Sequence, residues 1–325
     1  MPPHLPALIE LIAGRRVLVV GDIILDEYLD GDAARISPEA PVPVLRFTDQ
    51  RAVLGGAANT AANVTSLGGR ATLIGLVGDD AAGAAVRRLC VDARVQAEAL
   101  SDGRETTRKV RVVSRQQQLL RIDYETTADI DADCRERLLE RVGAHIADTD
   151  IVVVSDYAKG LLSSEVLDGI RMLAAAAGRD VVVDPRPRHA AFYAGCDYLT
   201  PNWKEALALL GEADADPTPD AVRQIGGRVR DRFQCGVLLT LGALGMVFFA
   251  RDGSAPIEAQ AEAREVFDVS GAGDTVVAAF ALALAGACPP ADAVWLANRA
   301  ASVVVSKRGT ATVIPAELVT PPLLQ

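Results

Sequence analysis

The chain has 325 residues, half of them hydrophobic, and its mean hydropathy is +0.20. This composition supplies enough apolar surface for a large buried core and excludes general disorder. Lys and Arg total 33 against 43 Asp and Glu, which gives a net charge of −10. An acidic balance of this kind argues against nucleic acid or an anionic membrane as the main partner.

The five cysteines lie far apart in the sequence and form no Cys-x-x-Cys pair. Scattered cysteines of this kind are typical of reduced, buried thiols in a cytoplasmic protein. With only three histidines, a histidine-based zinc site is not expected. The sequence shows neither a signal peptide nor an apolar stretch long enough for a membrane helix, so we expect a cytoplasmic location.

Short runs of β-branched residues alternate with Ala- and Leu-rich segments of helical length along most of the chain. This alternation predicts an α/β fold with a mostly parallel sheet and helices on both faces. The predicted strands are residues 17–20, 72–77, 151–155, 181–184, 198–200 and 237–241. The predicted helices are residues 57–67, 81–91, 132–147, 163–177, 203–210 and 219–232.

Two segments interrupt this alternation, at residues 38–48 and 106–123. The first is extended and punctuated by prolines, and the second alternates polar and apolar residues in two pieces joined near residues 114–117. We interpret both as strands of a small β lid, with lid segments at about residues 36–48 and 106–123. Exposed strand edges need cover, so the lid also predicts a homodimer.

The last third of the chain contains two apolar helical segments. Residues 274–287 are apolar nearly all round, which predicts a fully buried helix. Residues 291–307 form the second predicted helix, and Pro289 and Pro290 precede its start.

A glycine-rich turn, residues 268–274, comes directly before the buried helix. Because Gly271, Ala272 and Gly273 carry little or no side chain, backbone N–H groups at the helix start are open to a bound anion. Asp274 lies beside them, where a carboxylate can take a proton from an alcohol. The alternative interpretation is a simple turn in which Asp274 caps the helix.

Two other segments carry candidate ligand-binding residues. Gly55 and Gly56 open the first Ala-rich helix, with Asn59 just inside it, and could allow a ligand to approach the backbone. Asp22 and Asp26 follow the first strand, at the end of a parallel sheet where ligands usually bind. Tight helix–sheet packing and turn formation, respectively, are the alternatives. Neither a dinucleotide-binding fingerprint nor a P-loop is present.

Two sets of small residues, about 200 positions apart, resemble the two signatures of the ribokinase-like (PfkB) carbohydrate kinases. The first set consists of Gly55, Gly56, Ala58, Asn59, Gly68 and Gly78. The second set is the turn at residues 268–274, followed by Ala278 and Ala279. The resemblance implies a three-layer α/β sandwich that forms one kinase domain over residues 1–325, together with ATP-dependent phosphorylation of a sugar.

The same resemblance implies roles for individual residues. Asp274 would be the base, and Gly271, Ala272 and Gly273 would form the anion hole. The implied sugar contacts are Asp22, Asp26, Gly55, Gly56 and Asn59. The implied nucleotide contacts are Asn202, Glu205, Thr240, Gly242, Gly245, Asn298 and Ser302, of which Asn202 and Glu205 would organise Mg²⁺ through water. A monovalent cation such as K⁺ is often bound in this family.

Residues 35–44 and 155–160 resemble the branch of the family that phosphorylates heptose 7-phosphate at O1, a step of ADP-heptose synthesis for lipopolysaccharide. Lys109, Arg111 and Arg186, with Asp184 beside the last, are candidate contacts for such a phosphorylated sugar. For the basic residues, a solvated lid face is the alternative. Other possible functions are a kinase for a different sugar, sugar phosphate or nucleoside, a carbohydrate sensor without catalysis, and a nicotinamide-dependent oxidoreductase.

Overall fold

The computed structural model describes residues 5–115, 117–262, 266–307 and 309–319, which form two sheets flanked by helices. The strands are β1 (Arg16–Gly21), β2 (Ile23–Ile36), β3 (Pro43–Gly56), β4 (Arg70–Leu76), β5 (Gln96–Leu100), β6 (Arg108–Ser114), β7 (Gln117–Tyr124), β8 (Ile151–Ser155), β9 (Val181–Asp184), β10 (Tyr198–Leu199), β11 (Gly236–Thr240), β12 (Met246–Phe249) and β13 (Ile257–Ala259). The helices are α1 (Leu5–Ile12), α2 (Ala57–Ser66), α3 (Ala81–Asp92), α4 (Ala132–Ile146), α5 (Ser164–Ala177), α6 (Trp203–Leu210), α7 (Pro219–Phe233), α8 (Ala272–Ala285), α9 (Pro290–Val304) and α10 (Pro315–Val319).

The larger sheet has the strand order β13-β12-β11-β10-β9-β8-β1-β4-β5. Its strands pair in parallel from β5 through to β11, and β12 and β13 continue the sheet in antiparallel pairing. All six predicted strands are present, which confirms the predicted parallel α/β core. Sequence analysis missed β5, β12 and β13, which lie toward the two edges of this sheet.

Helices cover both faces of the larger sheet, so the fold has three layers as predicted. The alternation within β1 shows this, because Val17 and Val19 belong to one apolar core while Leu18 and Val20 belong to the other. The first core includes α1, α2, α8 and α9, and the second includes α4 to α7. Helix α8 is buried at every position from Asp274 to Ala283, as its all-round apolar pattern predicted.

The smaller sheet is the predicted lid, in the order β3-β2-β6-β7. Strands β6 and β7 pair as an antiparallel hairpin, which confirms the interpretation of residues 106–123 as two joined pieces. The predicted extent of the first lid segment, residues 36–48, was wrong, because the strands there run over Ile23–Ile36 and Pro43–Gly56.

Physical reasons account for this difference in the lid. Strand β2 lacks clean alternation, because its first four residues are all buried and its second half is partly exposed. Residues 37–42 form a turn instead of a strand, and Pro38 and Pro41 have no N–H to give to a ladder. Strand β6 lies inside the lid sheet, so the free edges belong to β3 and β7.

All five cysteines are buried and unpaired, as expected. Among the helices that the structure describes, none has the length and apolar character needed to cross a membrane.

Candidate active site

A cavity of about 160 Å³ lies at the carboxyl ends of the parallel strands, where the start of α8 meets β9, β10 and β11. Ligands of open α/β sheets bind at this end of the strands. The cavity brings together residues that sequence analysis assigned separately to the base, the nucleotide and the substrate. Its lining consists of Tyr157, Asp184, Arg186, Thr200, Asn202, Glu205, Thr240, Gly271, Gly273, Asp274 and Val276.

Asp274 lies in the first turn of α8 and is only 3% exposed. Its Oδ2 accepts a hydrogen bond from Asn59 Nδ2 at 2.7 Å, and its Oδ1 accepts from Tyr157 Oη at 2.7 Å and Thr60 Oγ1 at 3.3 Å. Burial raises the pKa of Asp274 to about 6, although the Asn59 and Tyr157 donors oppose this shift. The carboxyl group is therefore ionised at neutral pH and more basic than an ordinary aspartate, as a general base requires.

The turn before α8 is held by the carboxylate of Asp268, which accepts hydrogen bonds from Ser270 N at 2.9 Å and Gly309 N at 3.1 Å. Gly271 is the N-cap residue, with a left-handed φ of +76°. The alternative interpretation of Asp274 as the cap is therefore wrong, since Asp274 lies three residues further along.

The amides of this turn differ in their availability. Ala272 N is 3.2 Å from Val269 O and closes the turn, so one of the three predicted anion-hole amides has a protein partner. Within the described part of the chain, the amides of Gly273 and Asp274 have no protein acceptor. These two N–H groups can donate to an anion in the cavity.

Asn59, predicted to contact the sugar, lies on α2 and donates to Asp274. The turn passes so close to it that a Cβ atom on Gly271 would lie 2.6 Å from Asn59 Nδ2. A side chain at position 271 would therefore displace the Asn59 amide that bonds to Asp274, so both this contact and the left-handed φ require a glycine.

Asn202 and Glu205, the predicted magnesium residues, form a capping box at the start of α6. Asn202 Oδ1 accepts from Glu205 N at 3.0 Å, and Glu205 Oε2 accepts from Asn202 N at 2.9 Å. Arg186 donates to Glu205 Oε1 at 2.7 Å. Burial raises the pKa of Glu205 and that of Asp184, whose Oδ1 accepts a hydrogen bond from Thr200 at 3.2 Å.

The hydrogen bonds of Asn202 and Glu205 determine how this site can hold Mg²⁺. Within the described ranges, no three metal-binding side chains cluster closely enough to hold an ion directly. Mg²⁺ retains several waters and is usually bound by substrate phosphates with one or two carboxylates. Glu205 and Asn202 fit that role only through water, because their side-chain oxygens already accept hydrogen bonds, and their contact with Mg²⁺ stays a prediction.

Asp22 and Asp26, the other predicted sugar contacts, are both buried. Asp22 Oδ2 accepts from Tyr157 N at 2.8 Å and Lys159 N at 3.1 Å, and burial raises its pKa. Asp26 forms a 2.6 Å ion pair with Arg111, so this predicted substrate contact already has a carboxylate partner.

Gly55 and Gly56 allow the backbone to pass close to these two carboxyl-bearing residues. A Cβ atom on Gly55 would lie 2.5 Å from Asp26 Oδ2, and one on Gly56 would lie 2.5 Å from Asp22 O. Tight packing against the protein itself therefore accounts for both glycines. Their predicted contact with a sugar stays a prediction.

Lys109 differs from Arg111, although both lie on β6. Its Nζ is 5.5 Å from the ring centre of Tyr157, which lines the cavity. In the described ranges Lys109 has no hydrogen bond or ion pair, and burial lowers its pKa. Lys109 is therefore available to an anionic ligand.

The structure places the predicted nucleotide contacts in three groups. Thr240 lines the cavity with Asn202 and Glu205. Gly242 and Gly245 form the turn between β11 and β12. On α9, Asn298 donates to Gln260 O at 2.7 Å and Ser302 donates to Arg299 O at 2.8 Å, and neither lines this cavity. Their nucleotide contacts stay predictions.

Sequence analysis missed Tyr157 and Thr60, both of which donate to Asp274. Tyr157 lies in the segment 155–160, which carries the resemblance to the heptose-phosphate branch, but the sequence analysis gave this tyrosine no role. It also missed a buried cluster in which Asp156 Oδ2 contacts His189 Nδ1 at 2.7 Å and accepts from Tyr193 Oη at 2.6 Å. No local pattern signals this cluster, because Asp156 follows β8 whereas His189 and Tyr193 lie in the segment after β9.

Comparison with known proteins identifies the class of protein to which this site belongs. Residues 15–317 match the model of the pfkB family of carbohydrate kinases. The chain belongs to this family and is an ATP-dependent carbohydrate kinase. This assignment disfavours the sensor and oxidoreductase alternatives.

Individual relatives and solved structures agree with this assignment. The chain is 45% identical over 320 residues to the bifunctional protein HldE of Caulobacter vibrioides and 43% identical over 323 residues to that of Rhodospirillum rubrum. It covers 64% of the length of each relative, and they match 97% and 96% of this chain. The structure of phosphofructokinase-2 from Escherichia coli with substrates and products is 23% identical, with a TM-score of 0.78 over 94% of this chain and 97% of that one. Arabidopsis thaliana ribokinase complexed with ribose and ATP is 21% identical, with a TM-score of 0.73 over 94% and 98% of the two chains.

Proposed function

We propose that this carbohydrate kinase transfers the γ-phosphoryl group of ATP to O1 of heptose 7-phosphate, giving heptose 1,7-bisphosphate. The observation that carries the chemistry is the placement of Asp274, a buried carboxylate of raised pKa beside two amides that have no acceptor among the described residues. Such a pair of features provides a base for the hydroxyl and donors for the transferred group.

In the proposed reaction, Asp274 takes the proton from the O1 hydroxyl as the oxygen attacks the γ-phosphorus. The new O1–P bond forms while the bond from the γ-phosphorus to the β,γ-bridging oxygen breaks, and ADP leaves. The amides of Gly273 and Asp274 donate to the transferring phosphoryl oxygens. Mg²⁺, held by the nucleotide phosphates with Asn202 and Glu205 through water, would neutralise phosphate charge.

Lys109 is proposed to hold the phosphate that the sugar already carries. It has no partner within the described part of the chain and reaches toward Tyr157, whose hydroxyl touches the base. Arg111 serves the same site indirectly, because it fixes Asp26. Arg186 lies on the nucleotide side, bonded to Glu205, and we assign it to the ATP phosphates and not to the sugar.

The choice of heptose 7-phosphate rests on likeness. Residues 35–44 and 155–160 resemble the heptose-phosphate branch, and the relatives at 43–45% identity share the name HldE. Those relatives are bifunctional by name and longer than this chain, so their activities come to it as part of this proposal.

The test is an ATP-consumption assay with heptose 7-phosphate, its unphosphorylated form and a panel of other sugars and nucleosides, with ³¹P NMR of each product. We expect kcat/KM to be highest for heptose 7-phosphate and the new phosphate to appear on O1. Preferential turnover of a different sugar would support the alternative of a related kinase and contradict the proposed substrate.

A variant tests the phosphate contact in the same assay. Lys109→Met is expected to raise the KM for heptose 7-phosphate at least about 10-fold, because a charge-assisted contact is lost, while the KM for ATP stays near normal. Arg223→Met, which removes a basic side chain from α7 outside the cavity, is the matched control. An unchanged KM for the sugar phosphate in Lys109→Met would contradict the assignment.

We further propose that residues 1–325 act as one kinase domain in the cytoplasm, with a monovalent cation such as K⁺ near the glycine-rich turn. We also propose a homodimer that forms through the lid. Large apolar side chains on the lid strands and the turn between them support an interface there, since their exposed fractions lie between 38% and 62%. These side chains are Ile36, Val42, Phe47, Leu120, Ile122 and Tyr124.

A further inference from the structure

A chain of buried polar side chains joins α2 to α8 next to Asp274. Asn59 and Asn63 lie one turn apart on α2 and are 2% and 0% exposed, and Thr275 follows Asp274 on α8 and is 0% exposed. Asn63 Nδ2 donates to Asn59 O at 3.0 Å and to Asn59 Oδ1 at 3.1 Å. Thr275 Oγ1 donates to Asn63 Oδ1 at 3.0 Å.

The backbone carbonyl of Asn59 determines the orientation of the side-chain amides of Asn63 and Asn59. A carbonyl oxygen can only accept, so the Asn63 atom beside Asn59 O must be the donor Nδ2. The same Nδ2 contacts the end of the Asn59 side chain, which must therefore present its acceptor Oδ1 on that side. The Nδ2 of Asn59 consequently points the other way, toward Asp274 Oδ2 at 2.7 Å.

We propose that Asn63 is a positioning residue that fixes the Asn59 carboxamide so that Nδ2, and not Oδ1, faces the carboxylate of Asp274. This inference rests on the proposed function, since it gives the orientation of Asn59 a catalytic purpose. An inverted Asn59 would bring two acceptor oxygens together with no proton between them, at two side chains that are both buried.

The contact matters because the two oxygens of Asp274 have different donors. Tyr157 and Thr60 both serve Oδ1, whereas Asn59 is the sole side-chain donor to Oδ2 among the described residues. A hydrogen bond to the charged form of a carboxyl group lowers its pKa. Loss of the Asn59 donor therefore leaves burial, which raises the pKa, less opposed.

The experiment measures the titration of the Asp274 carboxyl group by ¹³C NMR in the free protein, with the signal assigned by its absence from Asp274→Asn. In Asn63→Leu we expect the midpoint to rise by about one pH unit, the size of shift that a lost hydrogen bond to a charge produces. The acid limb of kcat/KM should move upward with it, while the KM for ATP stays unchanged.

Thr275→Val is the matched control. It removes the hydroxyl that lies 3.0 Å from Asn63 Oδ1 and 3.2 Å from Gly271 O, but it leaves Asn63 Nδ2 bonded to Asn59 O, so the orientation of Asn59 is kept. This variant should unfold at lower temperature than the wild type while its Asp274 midpoint stays in place. A wild-type midpoint in Asn63→Leu, or an equal shift in Thr275→Val, would overturn the proposal.

Asn63→Ser is the second variant, for the case that Asn63→Leu does not fold. Its hydroxyl is too short to reach Asn59 Oδ1, so a raised Asp274 midpoint is again expected, and an unchanged midpoint would overturn the proposal. Because the NMR titration needs no turnover, it separates this inference from the proposed function. A shifted midpoint together with near-normal kcat in Asp274→Asn would support the positioning role and remove the role of Asp274 as base.

Discussion

Asp274 is a carboxyl group that is almost fully buried in the first turn of α8, at the wall of the cavity. Its burial raises the pKa to about 6, while Asn59 and Tyr157 hold the charged form. Without these donors a buried carboxylate would be protonated at neutral pH and unable to act as a base. Burial and the donors Asn59 and Tyr157 together leave Asp274 ionised at neutral pH and more basic than an ordinary aspartate.

The first prediction concerns pH. Because the pKa of Asp274 is raised to about 6, kcat/KM should be flat from pH 7 to 8 and fall about 10-fold per unit below pH 6, as the carboxylate is protonated. Asp252→Asn, which removes an exposed carboxyl group in a turn, should leave this acid limb in place. A limb near pH 4, the ordinary range of an aspartate, would contradict the assigned environment.

The second prediction concerns stability. A folded-state pKa of about 6 exceeds the ordinary value of 3.8, so the contribution of Asp274 to stability is present below pH 4 and is lost as pH rises through 6. Asp274→Asn should therefore be more stable than the wild type at pH 8, by up to about 3 kcal/mol. Near pH 4 the two proteins should be nearly equal.

Urea unfolding of both proteins at the two pH values measures this difference. The hydroxyls of Tyr157 and Thr60 can accept from the new amide as readily as they donate to the carboxylate, so Asn fits the site without an unpaired group. Equal stability at pH 8 would mean that burial of this carboxylate has no energetic cost.

The segment after β8 connects Asp274 to Glu205 on the other side of the cavity. Tyr157 reaches Asp274, and the guanidinium of Arg186 stacks 4.5 Å from the Tyr157 ring. Tyr193 holds both ends of this arrangement, since its hydroxyl donates to Asp156 Oδ2 and accepts from Arg186 N at 2.8 Å. The buried cluster therefore positions the two side chains that contact Asp274 and Glu205.

The third prediction concerns the hydroxyl of Tyr193. Tyr193→Phe should lower kcat roughly 10-fold and destabilise the fold by about 1–3 kcal/mol, because Asp156 and Arg186 lose a buried partner. Tyr198→Phe is the matched control, since the Tyr198 hydroxyl has no hydrogen bond among the described residues. Steady-state kinetics and urea unfolding measure both effects. Loss of stability with unchanged kcat would limit the cluster to a structural role.

The comparison of sequence and structure shows which signals are local. The parallel strands were predictable because strands buried on both faces read as continuous apolar runs, as in Val152–Val154. Strand β2 was not predictable in this way, because its side chains change from buried to half-exposed where the strand leaves the core for the lid. In the site, the turn and the position of Asp274 at the helix start were predictable from the glycine-rich run that comes before an apolar helix. Tyr157 and Tyr193 were not, because their partners lie more than 30 residues away in the chain.

For the whole molecule, the lid raises the question of self-association. Strands β3 and β7 are free edges, and Phe47 on β3 is 60% exposed. An apolar edge of this kind is stabilised by pairing with a second copy. Asp26 and Lys109, which are proposed to contact the substrate, and the side chains proposed to form the dimer therefore lie in one sheet.

The fourth prediction tests this arrangement. Light scattering at micromolar concentration should give the mass of a dimer for the wild type and of a monomer for Phe47→Asp. Met172→Asp, on α5 and 70% exposed, introduces the same charge away from the lid and should remain dimeric. A wild-type monomer would contradict the proposed interface.

Phosphoryl transfer is proposed to take place at the start of α8, with Asp274 as the base. Steady-state kinetics of the wild type and Asp274→Asn with heptose 7-phosphate and ATP, together with ATP affinity by calorimetry, test this role. We expect kcat of Asp274→Asn to be at least about 100-fold lower with ATP affinity little changed, since shape is kept and basicity is removed. Near-normal turnover by Asp274→Asn would contradict this role.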